Sequence, residues 1–152
     1  MKELEAYLKE TTRKFENMVR GFSYIISETA INNTPLGDAN AYFSMYQSRE
    51  QRLGLQAKEG FARGSWQVSS TGQFSVQEFY SFSSGDQALS LIKTNLSNYK
   101  LGDTVYIGNK GYYIEALENG YSQQAPLGIM KPTLESIMQT YKVDLKRLFD
   151  QG

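Results

Sequence analysis

The apolar residues of the N-terminal segment recur three and four positions apart, at Phe15, Met18, Val19, Phe22, Ile25, Ile26 and Ala30. That period belongs to an amphipathic helix, and it predicts one helix over residues 3–31. Glu3 and Glu5 at its start suit the helix dipole. The first turns are more polar and offer only Leu4, Ala6 and Leu8 for burial. A helix of about 28 residues is about 42 Å long, longer than a domain of this size needs. Two readings follow. Part of the helix projects or packs on another subunit, or it lies across one sheet with a frayed first turn.

Asn32 to Asp38 stops this helix, because Pro35 disfavours helix at the residue before it and Gly37 with Asp38 supplies turn chemistry. Residues 39–60 lack a clear period and read as an insertion or excursion. Trp66 and Val68 alternate with polar neighbours, which predicts a strand with one buried face and makes the only tryptophan a core anchor. Residues 70–82 are either a second strand, with Phe74 and Val76 on one face, or a loop. Ser83 to Asp86 offers caps for a helix carrying Ala88, Leu89, Leu91, Ile92 and Leu96 and ending near Gly102. Thr104 to Ile107 is a short β-branched and aromatic strand, and Asn109-Lys110-Gly111 is a turn. Tyr112 to Leu117 forms a strand or a helical turn, and a polar loop follows over 119–128. Pro132 opens the last helix, whose apolar face holds Leu134, Ile137, Met138, Tyr141, Leu145 and Leu148, with Lys142, Lys146 and Arg147 towards its end. The order predicts a single α+β domain over 1–152: long N-terminal and C-terminal helices packed on a small, mainly antiparallel sheet, with one further helix.

The residue inventory restricts the chemistry. With no cysteine and no histidine, disulfides, thiolate zinc sites and a histidine general base are impossible. No phosphate-binding glycine loop, metal-ligand cluster or calcium loop is present, so no catalytic, cofactor-binding or metal site is expected. Sixteen basic and sixteen acidic residues cancel, which argues against a surface that grips DNA. No segment approaches the roughly 18 apolar residues that span a bilayer, and the charged start MKELEAYLKE is unlike a signal peptide. The expectation is a protein made in the cytoplasm and used there or in a particle assembled there. Eleven tyrosines suit a core and an interface equally.

Two features invite a functional reading. Glu115 and Glu118 share a face if their segment is helical, and paired carboxylates can serve glycoside hydrolysis. The alternative for Glu118 is to accept backbone N–H groups of the following loop and hold its shape. The loop Gly120-Tyr121-Ser122-Gln123-Gln124-Ala125-Pro126, with Gly128, is a stiff polar hook. Either it touches a neighbouring subunit or its amides satisfy their own backbone.

The stretch Val105-Tyr106-Ile107-Gly108-Asn109, then Tyr112-Tyr113-Ile114, Leu117-Glu118-Asn119-Gly120-Tyr121-Ser122, Gln124-Ala125-Pro126 and Gly128 resembles the C-terminal signature of the neck or tail-completion proteins of tailed bacteriophages. In that family a strand and an asparagine turn lead to a tyrosine-containing segment, an acidic-x-glycine step and a Ser-x-Gln-Ala-Pro-x-Gly loop before a closing helix. Asn33-Thr34-Pro35 and Ala62-Arg63-Gly64-Ser65-Trp66-Gln67-Val68 look like the family's N-terminal signature, in which Thr-Pro leads through a short turn into Arg-x-x-Trp. The likeness covers roughly residues 10–149. It departs between Pro35 and Arg63, where this chain carries extra residues including Tyr42, Phe43, Met45 and Tyr46.

The resemblance implies an α+β subunit of a homo-oligomeric ring, commonly hexameric, that joins the head connector to the tail, performs no reaction and lets DNA pass. Tyr121, Ser122, Gln123, Gln124, Pro126, Tyr42, Phe43 and Tyr46 are its candidate interface residues, and Trp66, Glu118, Gly120 and Gly128 its structural ones. The neighbours implied are the connector and a tail terminator or tube protein, and the place implied is the virion. A tail-tube terminator is the alternative within this class. A small glycan hydrolase using Glu115 and Glu118, or a monomeric binding module using the tyrosine-rich surface, are alternatives from other classes.

Overall fold

The computed structural model describes residues 1–36, 60–75, 84–111 and 114–141. Helix α1 spans Lys2–Asn33 and is followed by a single helical turn, α2, over Phe61–Gly64. Strand β1 is Trp66–Ser69, helix α3 Asp86–Leu96, strand β2 Tyr106–Asn109, helix α4 Ile114–Glu118 and helix α5 Met130–Tyr141. The two strands pair antiparallel, with Trp66 opposite Asn109 and Val68 opposite Ile107. The fold is therefore α+β, a long N-terminal helix and several further helices around a small antiparallel sheet.

The predicted α1 differs from the observed helix less in its ends than in the face it buries. Ser23, Ser27, Ala30 and Ile31 are the buried residues, while Phe15 and Met18 of the apolar stripe stand about half exposed, at 50% and 57%. Small side chains let α3, α5 and β1 approach the helix backbone closely. The Ser27 hydroxyl donates to the Ser23 carbonyl at 2.8 Å, so its burial leaves no unpaired group. Further towards the N-terminus, Arg20 donates to the Tyr99 carbonyl at 2.6 Å and Glu16 accepts from the Leu101 N–H at 3.0 Å. Residues 1–10 are all exposed.

The core gathers around Trp66. It contains Ile31, Val68, Ala88, Ile92, Leu96, Leu117 and Ile129. In α3 the buried residues are Ala88, Ile92 and Leu96, one per turn, and Leu91 faces solvent. The chain turns from α1 to β1 on a polar node. Thr34, fully buried, donates its hydroxyl to the Ala30 carbonyl at 2.7 Å and accepts Trp66 Nε1–H at 2.8 Å. Its carbonyl accepts Arg63 Nε–H at 2.9 Å. Thus the Thr-Pro and Arg-x-x-Trp elements, 29 and 32 residues apart, meet through hydrogen bonds.

Several local expectations need correction. The second strand starts at Tyr106 and runs to Asn109, two residues later than predicted. Asn109 ends it and turns the chain with its side chain, accepting from the Gly111 N–H at 2.8 Å and donating to the Ala62 carbonyl at 2.6 Å. Phe61–Gly64, for which no element was expected, form α2. Gln67, expected on the solvent side of β1, is buried because its amide clamps Ser75, donating to the carbonyl and accepting from the N–H. That clamp holds residues 73–75 as irregular chain rather than a strand, and the rest of the expected second strand lies outside the described residues. The last helix begins at Met130, so Pro132 sits inside its first turn, where a missing N–H breaks no helical bond. Leu145 and Leu148, expected on its apolar face, lie outside the described residues.

The Thr34 node supports a stability prediction. Thr34→Val keeps the shape but leaves the Trp66 indole N–H buried without its acceptor. It should lower unfolding free energy by about 1–3 kcal/mol, read by urea denaturation followed through Trp66 fluorescence. Thr140→Val, which removes only a hydroxyl bonded to the Ser136 carbonyl on an exposed face, should change it by less than about 0.5 kcal/mol.

Candidate functional site

The loop joining α4 to α5 is built as a rigid hook. Helix α4 ends at Glu118 and is closed by Gly120, whose φ of 77° is left-handed. The Gly120 N–H donates to the Leu117 carbonyl at 3.0 Å and the Tyr121 N–H to the Ala116 carbonyl at 3.1 Å. This paired pattern closes a helix on a left-handed glycine. The chain then makes a tight turn in which Ala125 N–H donates to the Ser122 carbonyl at 3.1 Å, while Ser122 Oγ accepts the Gln124 N–H at 3.2 Å. A second left-handed glycine, Gly128 with φ 79°, returns the chain to α5.

The stem of the hook is closed by two glycines and one carboxylate. A Cβ at Gly120 would lie 2.5 Å from the Pro126 carbonyl oxygen, and one at Gly128 would lie 2.5 Å from that of Glu118. No side chain fits at either place. Glu118 reaches across the stem and accepts from the Ile129 N–H at 3.0 Å and from the Met130 N–H at 3.2 Å. These are the otherwise unpaired donors at the start of α5, where a negative charge also meets the positive end of the helix dipole. Glu118 therefore holds the hook and caps α5 with one side chain. Glu115, one turn earlier, is exposed.

What the hook displays follows from this bracing. Ala125 is its inward residue, buried at its base. Tyr121 is 83% exposed and Leu127 65% exposed, with Gln123, Gln124 and Pro126 also facing out and Ser122 half-buried. The loop satisfies part of its own backbone through main-chain bonds and the Ser122 hydroxyl, and its outward side chains face solvent. Leu127 was absent from the expected site, although its place between Pro126 and Gly128 in a braced turn leaves it nowhere inward to go. Tyr42, Phe43 and Tyr46 lie outside the described residues.

A second exposed surface runs along the free half of α1. Met1, Leu4, Leu8, Phe15 and Met18 fall on one stripe, with Tyr7 beside it, and all six are exposed. Their spacing alternates between three and four if Thr11 is counted, the repeat that pairs helices side by side. On the polar side, Glu10 takes Arg13 in a two-pronged ion pair at 2.9 and 3.1 Å. That bond to the guanidinium holds the Glu10 carboxyl below its ordinary range. The half-helix thus supports itself through its own charges while its apolar stripe is uncovered. Trp66, expected as an anchor, is the floor of a shallow groove of about 420 Å³ between β2, α4 and α5, with Ile107, Ile114 and Met130 along it and Glu115 at its rim.

Among the described residues no group of three or more carboxylates gathers as a metal site, and no helix is long and apolar enough to cross a membrane. Gly120→Ala should cost about 1–2 kcal/mol for the left-handed backbone alone, and more because the methyl meets the Pro126 carbonyl. Gly102→Ala, also at positive φ but with nothing within 4 Å of the new methyl, should carry the backbone cost only. Urea denaturation of the two variants side by side measures the difference. No family model, characterised protein or solved structure matches this chain.

Proposed function

We propose that this protein is a structural subunit of the head–tail junction of a tailed bacteriophage. It is a neck or tail-completion protein whose copies form a homo-oligomeric ring between the head connector and the tail. The observation that carries this reading is the braced hook at 119–128, which spends two left-handed glycines and a carboxylate on holding Tyr121, Gln123, Gln124, Pro126 and Leu127 outward. Such pre-ordering suits a surface that binds another protein, because little side-chain and loop freedom remains to be lost on contact. The sequence pattern of the hook resembles that of neck proteins, and the likeness extends to Thr34, Arg63 and Trp66, which meet in one hydrogen-bonded node.

In this role the protein carries out no reaction. Its body positions the hook and the projecting half of α1, and these two elements engage neighbours on different sides, as the head-to-tail contacts of a ring require. The balanced charge of the chain supports a lumen through which DNA passes without being held. The connector and a tail terminator or tube protein are the axial partners, and the virion is its place of use.

Light scattering on the purified protein should give a mass several times that of one chain. Particles assembled without it should show normal-length tails beside unjoined heads. Overlong tails in that deletion would assign it instead to tail termination, and a strict monomer absent from purified virions would end both readings. Tyr121→Ala with Leu127→Ala should leave the fold unchanged by circular dichroism and lower the yield of joined particles at least about tenfold, the scale of losing one buried aromatic anchor.

A further inference from the structure

We propose that the apolar stripe of α1 seats in the groove between β2, α4 and α5 of a second copy of this chain. This rests on the ring reading and names the contact that builds the ring. Two surfaces without a partner among the described residues lie on the same molecule: a projecting stripe with Leu8 and Phe15 at its centre, and a groove floored by Trp66 with Ile107, Ile114 and Met130 along it. They cannot meet within one chain. Helix α1 is continuous from Lys2 to Asn33, and its body contacts run through Glu16, Arg20 and the Ser23–Ile31 face, so the free half points away from its own domain. A protruding patch complementary to a pocket elsewhere on the same chain joins copies head to tail, and such contacts close into rings when the rotation allows.

Charge selects the occupant. Glu115 lies at the groove rim, exposed, with no ion pair among the described residues. Lys14 flanks the stripe one residue before Phe15; its side chain is 72% exposed and its nitrogen is 3.7 Å from the nearest Glu10 oxygen. Seating the stripe with Lys14 at the Glu115 rim brings opposite charges together at the edge of an apolar contact, where such pairs set register and partner choice. The groove suits one or two side chains of the stripe beside Lys14, with the helix backbone passing over it.

The absence of cysteine makes the test direct. Thr11→Cys, on the stripe one turn from Lys14, and Glu115→Cys are made separately, mixed as full-length proteins and oxidised mildly. The expected result is a disulfide-linked pair in the mixture and little in either protein alone. A pair formed by Thr11→Cys alone would show stripe meeting stripe and overturn the proposal. No cross-link in a mixture that still forms rings would overturn it too, and would leave the ring reading standing. Lys14→Glu should weaken association at least about tenfold, and adding Glu115→Lys should restore it; weakening without restoration counts against the pairing. A cross-link in a protein that particles do not need would keep this contact and refute the neck assignment.

Discussion

Thr34 holds together the parts of this molecule that the chain sets far apart. It ends α1, it receives the indole of Trp66 from β1, and its carbonyl receives Arg63 from α2. The residue before it ties α1 to α5, since Asn33 donates to the Thr133 hydroxyl at 3.0 Å and that hydroxyl donates to the Ile129 carbonyl at 2.7 Å. Two adjacent side chains thereby align the helix end with the sheet and with the final helix. Each bond is buried or nearly so, and a buried polar group left without its partner costs more than the bond itself contributes. The node is consequently specific: alternative packings of the same apolar residues would leave a hydroxyl or an indole N–H unpaired.

From that node the two candidate contact surfaces acquire their positions. The α1 end is fixed, so the helix can only extend outward, and the face it turns inward is the one made of serine and alanine. Of the large apolar residues, Phe22 packs its ring against Tyr141 at 6.0 Å, while Leu4, Leu8, Phe15 and Met18 are left exposed. At the opposite side, α5 starts where Glu118 gathers its first N–H groups, and the same carboxylate closes the stem of the hook. A single side chain thus couples the core helix to the exposed loop. Glu115 differs in role from Glu118 through position alone, for it lies one turn earlier and meets no backbone donor.

Much of the local structure was legible from residue order. The helical period of α1, the Trp66–Val68 strand, the helix after Gly85 and the demand for glycine at 120 and 128 all reflect steric rules acting within a few residues. The acceptor role of Glu118 was also readable, because a carboxylate three residues before a glycine-closed turn has few other uses. The short helix α2 was missed because FARG has no room for a period to show. The registration of β2 slipped by two residues because Val105 and Ile107 have similar strand propensity, and the choice was made by pairing with β1 and by Phe74 lying over Gly108, where a Cβ would collide with its ring.

The sequence by itself determined the long helices and the Trp66–Val68 strand, the absence of histidine and thiolate chemistry, and the need for glycine in the hook, because each depends on the intrinsic properties of residues close in the chain. Only the tertiary structure decided which face of α1 is buried. Periodicity marks the large apolar stripe as the inward one, yet close packing against α3 and β1 requires small residues, and Ser23, Ser27 and Ala30 meet that requirement. The joining of Thr34 to Arg63 and Trp66 was likewise beyond local reading, since it depends on hydrogen bonds between groups about thirty residues apart. Those long-range contacts left Phe15 and Met18 of the apparent core stripe exposed and the larger residues after them only partly buried, while Ser23, Ser27, Ala30 and Ile31 build the packed face.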